Sequence, residues 1–121
     1  MSIQELISWL EKCPVLQGQK MNFSFLPSYQ GWSLTIPKSE TRADILGNSR
    51  TTYQLKITRR YTVQSNDDRI AVLNALEDLA DWAKQNLPPG TRLRVSGFPE
   101  FTSRNTSGTE DLSIMLTLAE Q

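Results

Sequence analysis

Glu77 and Asp81, one helical turn apart with Asp78 beside them, are the nearest the sequence comes to a reaction centre. Carboxylates four residues apart share a helix face, as a carboxylate pair or a divalent-cation site requires. The surrounding pattern points to a solvated face instead. Val72, Leu73, Leu76, Leu79, Ala80 and Ala83 mark the apolar stripe of the same helix, the acids lie off it, and Lys84 follows Asp81 by three residues. Cys13 is the only thiol, and it stands before Pro14 at a helix end. The chain has no histidine, so nothing of that type can activate the thiol or bind a transition metal. Neither GxxxxGK[ST] nor GxGxxG occurs, which leaves a nucleotide phosphate without a recognisable cradle. No catalytic residue, metal ligand or cofactor is therefore expected.

Charge offers a second kind of chemistry. The 13 basic and 13 acidic residues cancel, so no bulk field draws the chain to nucleic acid. Locally, however, Arg50, Lys56, Arg60, Arg92 and Arg94 fall on the polar registers of expected strands and form a candidate interaction face. A sheet that reads single strands displays aromatics on that same face. Here Phe23, Phe25, Trp32, Tyr53 and Tyr61 fall on the opposite, core-facing registers. Sheet-based nucleic-acid binding thus stays an alternative, as does a small adaptor or regulatory domain of a host. Trp9, Tyr53 and Tyr61 are candidate subunit contacts, because aromatic residues are enriched in interfaces.

The elements that position these groups follow from periodicity. Ser2 caps a first helix with Glu5 three residues on and a stripe of Ile3, Leu6, Ile7 and Leu10. Residues 21–25 and 32–36 alternate as half-buried strands, and 41–46 offers a further one. Gly47-Asn48-Ser49 then turns into the strand of 51–63, where polar and apolar residues alternate over a length well beyond the usual. Such a strand either bends or projects beyond a small core. Ser65 to Asp68 open a second helix ending near Asn86. Two more strands, around Leu93 and Leu112 to Leu118, flank a polar segment, 99–110, expected as a loop open to a partner.

The expected fold is α+β with two layers, a mostly antiparallel twisted sheet carrying both helices on one face, in the order α-β-β-(β)-β-α-β-β. A length of 121 residues suits one domain. No apolar run is long enough to span a bilayer, so no membrane partner is expected, and the lone cysteine fits a reducing compartment.

Order and local pattern together resemble the tail-terminator family of phage minor capsid proteins, also called tail-completion or head-tail joining proteins. The resemblance runs from Ser2 to Pro89. It rests on a short helix ending at Cys13-Pro14, then Phe25-Leu26-Pro27, Trp32-Ser33 through Pro37, and Gly47 before a Tyr- and Gln-containing strand. Asn66-Asp67-Asp68, a helix ending Leu79-Ala80-Asp81-Trp82, and Leu87-Pro88 continue it. The resemblance implies a non-enzymatic virion assembly protein of a long-tailed phage or prophage, present in the virion and, during assembly, in the host cytoplasm. Its subunits would form a ring, a hexamer, that caps the tail tube protein, ends elongation and meets the head connector. DNA would pass the ring without being read.

Overall fold

The computed structural model describes residues 1–95, 97, 99–104 and 108–120. Its first helix, α1 (Ile3–Glu11), starts where capping chemistry requires, with Ser2 Oγ accepting the Glu5 N–H at 3.1 Å. The buried face is Leu6, Trp9 and Leu10, whereas Ile3 is 45% exposed. The expected stripe is therefore rotated: the Trp9 ring turns inward and Ile3 outward, which removes the larger apolar surface from water. A single turn at Pro14–Leu16 leads to strand β1 (Met21–Phe23). Glu11 ties β1 to α1 by accepting the Met21 N–H at 2.9 Å. Phe25 lies beyond β1 and is exposed, so it does not reach the core as its register implied.

The segments around Trp32 and Thr41 are not two strands but one, β2 (Gly31–Ala43). Pro37 misleads a period-two reading because the ladder slips one residue between Thr35 and Lys38. A residue without an N–H is accommodated at such a bulge, and parity changes across it. Strand β3 (Ser49–Thr62) then returns antiparallel along the whole of β2, closing the hairpin expected at Gly47. Gly31 opens β2 without a side chain because a Cβ there would collide with the Pro27 ring.

Helix α2 (Asn66–Gln85) begins at Ser65, whose N–H is accepted by Asp68 Oδ2 at 3.1 Å. It buries Leu76, Leu79, Ala80 and Ala83, as its stripe predicts. Strands β4 (Thr91–Val95), β5 (Glu100–Arg104) and β6 (Thr109–Glu120) complete the chain. The sheet order is β1-β2-β3-β6-β4, with β5 also on β6. All pairings are antiparallel except β1 with β2. Segment 99–110 is thus not an open loop: Glu100 to Arg104 pairs with Glu110 to Ser113. Residues 105–107, the middle of that segment, and Ser96 lie outside the described residues.

One face of the sheet carries Trp32, Leu34, Leu55, Ile57, Tyr61, Leu112, Ile114, Leu116 and Leu118, which pack with the buried residues of both helices in a single core. The chain is a two-layer α+β fold with a mixed, mostly antiparallel sheet. No helix among the described residues is long and apolar enough to cross a membrane.

Candidate functional site

Strand register decides which cations share a face. Lys56 lies opposite Met115 and Arg60 opposite Asp111, while Arg92 and Arg94 lie opposite Ala119 and Thr117. Each of these β6 residues alternates with the core-facing Leu112, Ile114, Leu116 and Leu118, so all four cations occupy the helix-free face, with Arg50 in the same register of β3. The bulge at Pro37 adds two cations that the sequence reading missed. Beyond it, Lys38 pairs with Gln54 and Arg42 with Arg50, which carries both β2 side chains to the same face. No aromatic residue occupies the helix-free registers of β2, β3, β4 and β6 among the described residues.

Arg60 must be removed from the free set. Its Nε and Nη2 donate to the two Asp111 oxygens at 2.8 and 3.0 Å, and Nη1 donates to the Pro27 carbonyl at 3.0 Å. Asp111 is 4% exposed, so this bidentate pair joins β3 and β6 and holds the loop before β2. The hydrogen bonds from Arg60 to Asp111 raise the Arg60 pKa further, which keeps the guanidinium charged. Arg50, Arg92 and Arg94 are exposed and Lys56 is half-buried. Arg42 approaches Glu40 at 3.8 Å with both side chains largely in water, a contact of little energy.

The long strand projects. Strand β6 accompanies β3 only from Thr62 to Thr52, so the rungs Thr41/Thr51, Arg42/Arg50 and Ala43/Ser49 stand beyond it. Residues 38–50 are exposed throughout. Since β1 covers only Trp32 to Leu34, the outer edge of β2 beyond them has no neighbour among the described residues. At the apex the Asp44 carboxylate organises the turn: Oδ1 accepts the N–H groups of Leu46 and Asn48, both at 2.9 Å. The Asp44 N–H donates to the Asn48 carbonyl at 2.9 Å and the Gly47 N–H to the Asp44 carbonyl at 3.1 Å. The Asn48 amide hydrogen bond is the largest of the effects that hold the Asp44 carboxyl below its usual range. Ile45 and Leu46, 103% and 86% exposed, crown this fixed turn.

The three aromatic candidates for subunit contact are engaged within the chain. Trp9 is 8% exposed, stacks on Trp82 at 5.8 Å between centroids and donates Nε1–H to the Asn86 carbonyl at 2.6 Å. Tyr53, half-buried, donates its hydroxyl to the Met1 carbonyl at 2.9 Å. Tyr61, in its core-facing register, is 4% exposed. Burial, then the adjacent Glu110 charge, pushes its hydroxyl up to about 12. Between the two helices, Trp9 and Trp82 floor an open groove of about 700 Å³ edged by Met1, Glu5, Lys12 and the Leu87-Pro88-Pro89 segment.

Sequence reasoning overlooked Glu110 and Asp111, consecutive residues that face opposite sides of β6. Glu110 is 2% exposed on the helix side and accepts from Arg69 Nε and Nη2, Arg104 Nη2 and the Tyr61 hydroxyl. Their signal was two adjacent acids on a strand otherwise rich in leucine, where an unpaired charge cannot be buried cheaply. The acids first singled out, Glu77 and Asp81, lie exposed on α2. Cys13 is 2% exposed, and burial pushes its thiol pKa up, away from the reactive thiolate. No group of three metal-ligating side chains comes together among the described residues. No known protein family matches the chain, and no characterised protein matches it in sequence.

Proposed function

We propose that the protein is a structural assembly component of a long-tailed phage or prophage, which assembles as a ring on the end of a tail tube, stops its growth and presents a surface to the head connector. The observation that carries this reading is the β2–β3 arm: a two-stranded projection that extends beyond the β6 pairing, with an outer edge that has no strand neighbour among the described residues. Exposed strand edges favour pairing with another chain, and a heterologous contact repeated around an axis closes a ring. The resemblance in element order and local pattern, described above, agrees with it. On this reading the chain catalyses nothing, and Arg50, Lys56, Arg92 and Arg94 face passing DNA, attracting phosphate without reading bases.

The alternative of sheet-based nucleic-acid binding gains from the shared face of those cations and loses from its lack of aromatics. Mass photometry of the protein alone and with purified tail tubes tests the main reading. Tubes of limited length, each with a ring at one end, are expected. A protein that neither caps tubes nor limits their length, yet binds short single strands in a salt-sensitive way, would replace it with the alternative.

A further inference from the structure

The parity of the β2–β3 ladder decides which backbone groups of the arm point outward. The Asp44 N–H donates to the Asn48 carbonyl at 2.9 Å, in the register that Ala43/Ser49 and the rungs behind it continue. Hydrogen-bonded pairs alternate with open ones in an antiparallel ladder, so Arg42/Arg50 and Glu40/Thr52 are of the bonded kind and Thr41/Thr51 is open. Side chains lie closer in open pairs, and the Thr41 and Thr51 hydroxyls do meet at 2.9 Å. The N–H and carbonyl groups of Ser39, Thr41 and Ala43 therefore face away from β3, along an edge with no strand neighbour among the described residues. Charge alternates along the same edge. Lys38, Glu40 and Arg42 share the helix-free face, and Arg42 stands directly opposite Arg50, a like-charge pair that the exposed Glu40, 3.8 Å from Arg42, offsets little.

We propose that the outer edge of β2 pairs antiparallel with the same edge of a second copy, about a two-fold axis at Thr41. In this register Thr41 meets Thr41 of the second copy and Ser39 meets its Ala43, so the outward backbone groups of all three residues find partners. Glu40 stands across from Arg42 of the second copy, and Arg42 across from its Glu40, in the open positions where side chains approach most closely. Each Arg42/Arg50 pair thus gains an acid. The same register brings the exposed Ile45 and Leu46 alongside Pro37 and Ile36 of the second copy. Neighbouring registers fit less well. An axis at Glu40 or at Arg42 sets like charges against each other, and an axis at Ser39 places Pro37, which has no N–H, opposite Thr41. The edge strand β4 is no better a partner: any pairing that brings Glu40 to one of Arg92 and Arg94 sets Lys38 or Arg42 against the other.

The pairing belongs to the free protein and does not rest on the ring reading: a two-fold contact closes at two, and it covers the edge until another chain takes it. Sedimentation velocity of the full chain over a concentration series, with circular dichroism melts to confirm folding, should show a monomer–dimer equilibrium that grows no further. Thr41→Pro removes an outward N–H, which an edge strand tolerates. It deletes one hydrogen bond from each copy at the axis and should weaken dimerisation about tenfold or more. Glu40→Arg and Arg42→Glu each set like charges against each other across the axis, so each alone should weaken it. An equimolar mixture of E40R and R42E restores every cross-pair and should regain most of the lost affinity. A wild type that stays monomeric or grows past two overturns the proposal, as does dimerisation undiminished by T41P, or a mixture no better than its components. Tube capping by a protein that is monomeric on its own refutes the pairing and spares the function, whereas a dimer that caps nothing does the reverse.

Discussion

Replacing Glu110 with glutamine removes one charge and almost no volume from the most heavily tied carboxylate in the described chain. The Glu110 side chain is 3% exposed and receives Arg69 from α2, Arg104 from β5 and the Tyr61 hydroxyl from β3. Three elements therefore meet on one side chain of β6. Breaking a buried pair by neutralising one member costs about 3–5 kcal/mol. Here the charge removed is the buried one, the arginines left behind are 38% and 68% exposed, glutamine still accepts one hydrogen bond and Arg69 keeps Asn66 as a partner at 3.1 Å, so a smaller loss, about 1–2 kcal/mol, is expected. For a domain of this size that is roughly a 5 °C fall in Tm. The Arg69 hydrogen bonds hold the Glu110 pKa below its ordinary value. The stabilisation is consequently complete above the unfolded-state value of about 4.3 and is lost as pH falls through the folded-state value. Chemical denaturation of wild type and E110Q across that acid range is the assay. E110Q should be less stable near neutrality and should lose less on acidification. A variant that melts within a degree or two of wild type, or keeps the full acid dependence, would refute the account of this cluster.

Leu76→Asp should abolish cooperative melting, because an unpaired carboxylate at a fully buried position costs several kcal/mol, about what small domains possess in total; thermal melts check it. Cys13 should react with an aromatic disulfide reagent only as fast as the protein opens, so thiol release and hydrogen exchange should share one rate. Arg60→Ala should destabilise by about 2 kcal/mol through loss of the two charge-assisted hydrogen bonds to the buried Asp111 carboxylate, which keeps the Ser103 hydroxyl as a donor, whereas Arg50→Ala, on the open arm, should change urea unfolding by less than about 0.5 kcal/mol.

Period-two alternation in β3 and the 3.6-residue stripe of α2 were legible because one side of each element meets a core and the other meets water. The turn at Gly47 and the caps at Ser2 and Ser65 were legible for a similar reason, since they are local chemistry. The readings failed where a distant partner decides the outcome. Nothing local distinguishes Arg60, clamped by Asp111, from Arg50, which is free of any such clamp. The polar composition of 100–104 conceals a strand because it pairs at the edge of the sheet and stays largely exposed. Trp9 is a similar case: its neighbour is Trp82, 73 positions away in the numbering of the contact pair, and no periodicity announces that encounter.

The extra residue at Pro37 has a consequence for how the arm can change in length. Lys38 to Ala43 keep their partners on β3 by virtue of one unpaired position, so loss of residue 37 alone would restore an even ladder and leave every later pair facing as it does now. A single deletion anywhere between Lys38 and Ala43 would instead exchange inside for outside in what remains, sending Arg42 to the helix side and Thr41 to the other. Changes in arm length that keep this face should therefore come two residues at a time in each strand, because one residue from each keeps the pairing but turns every side chain beyond it to the other side. The reach of the arm could then vary over evolutionary time while the face that carries its charges stays the same.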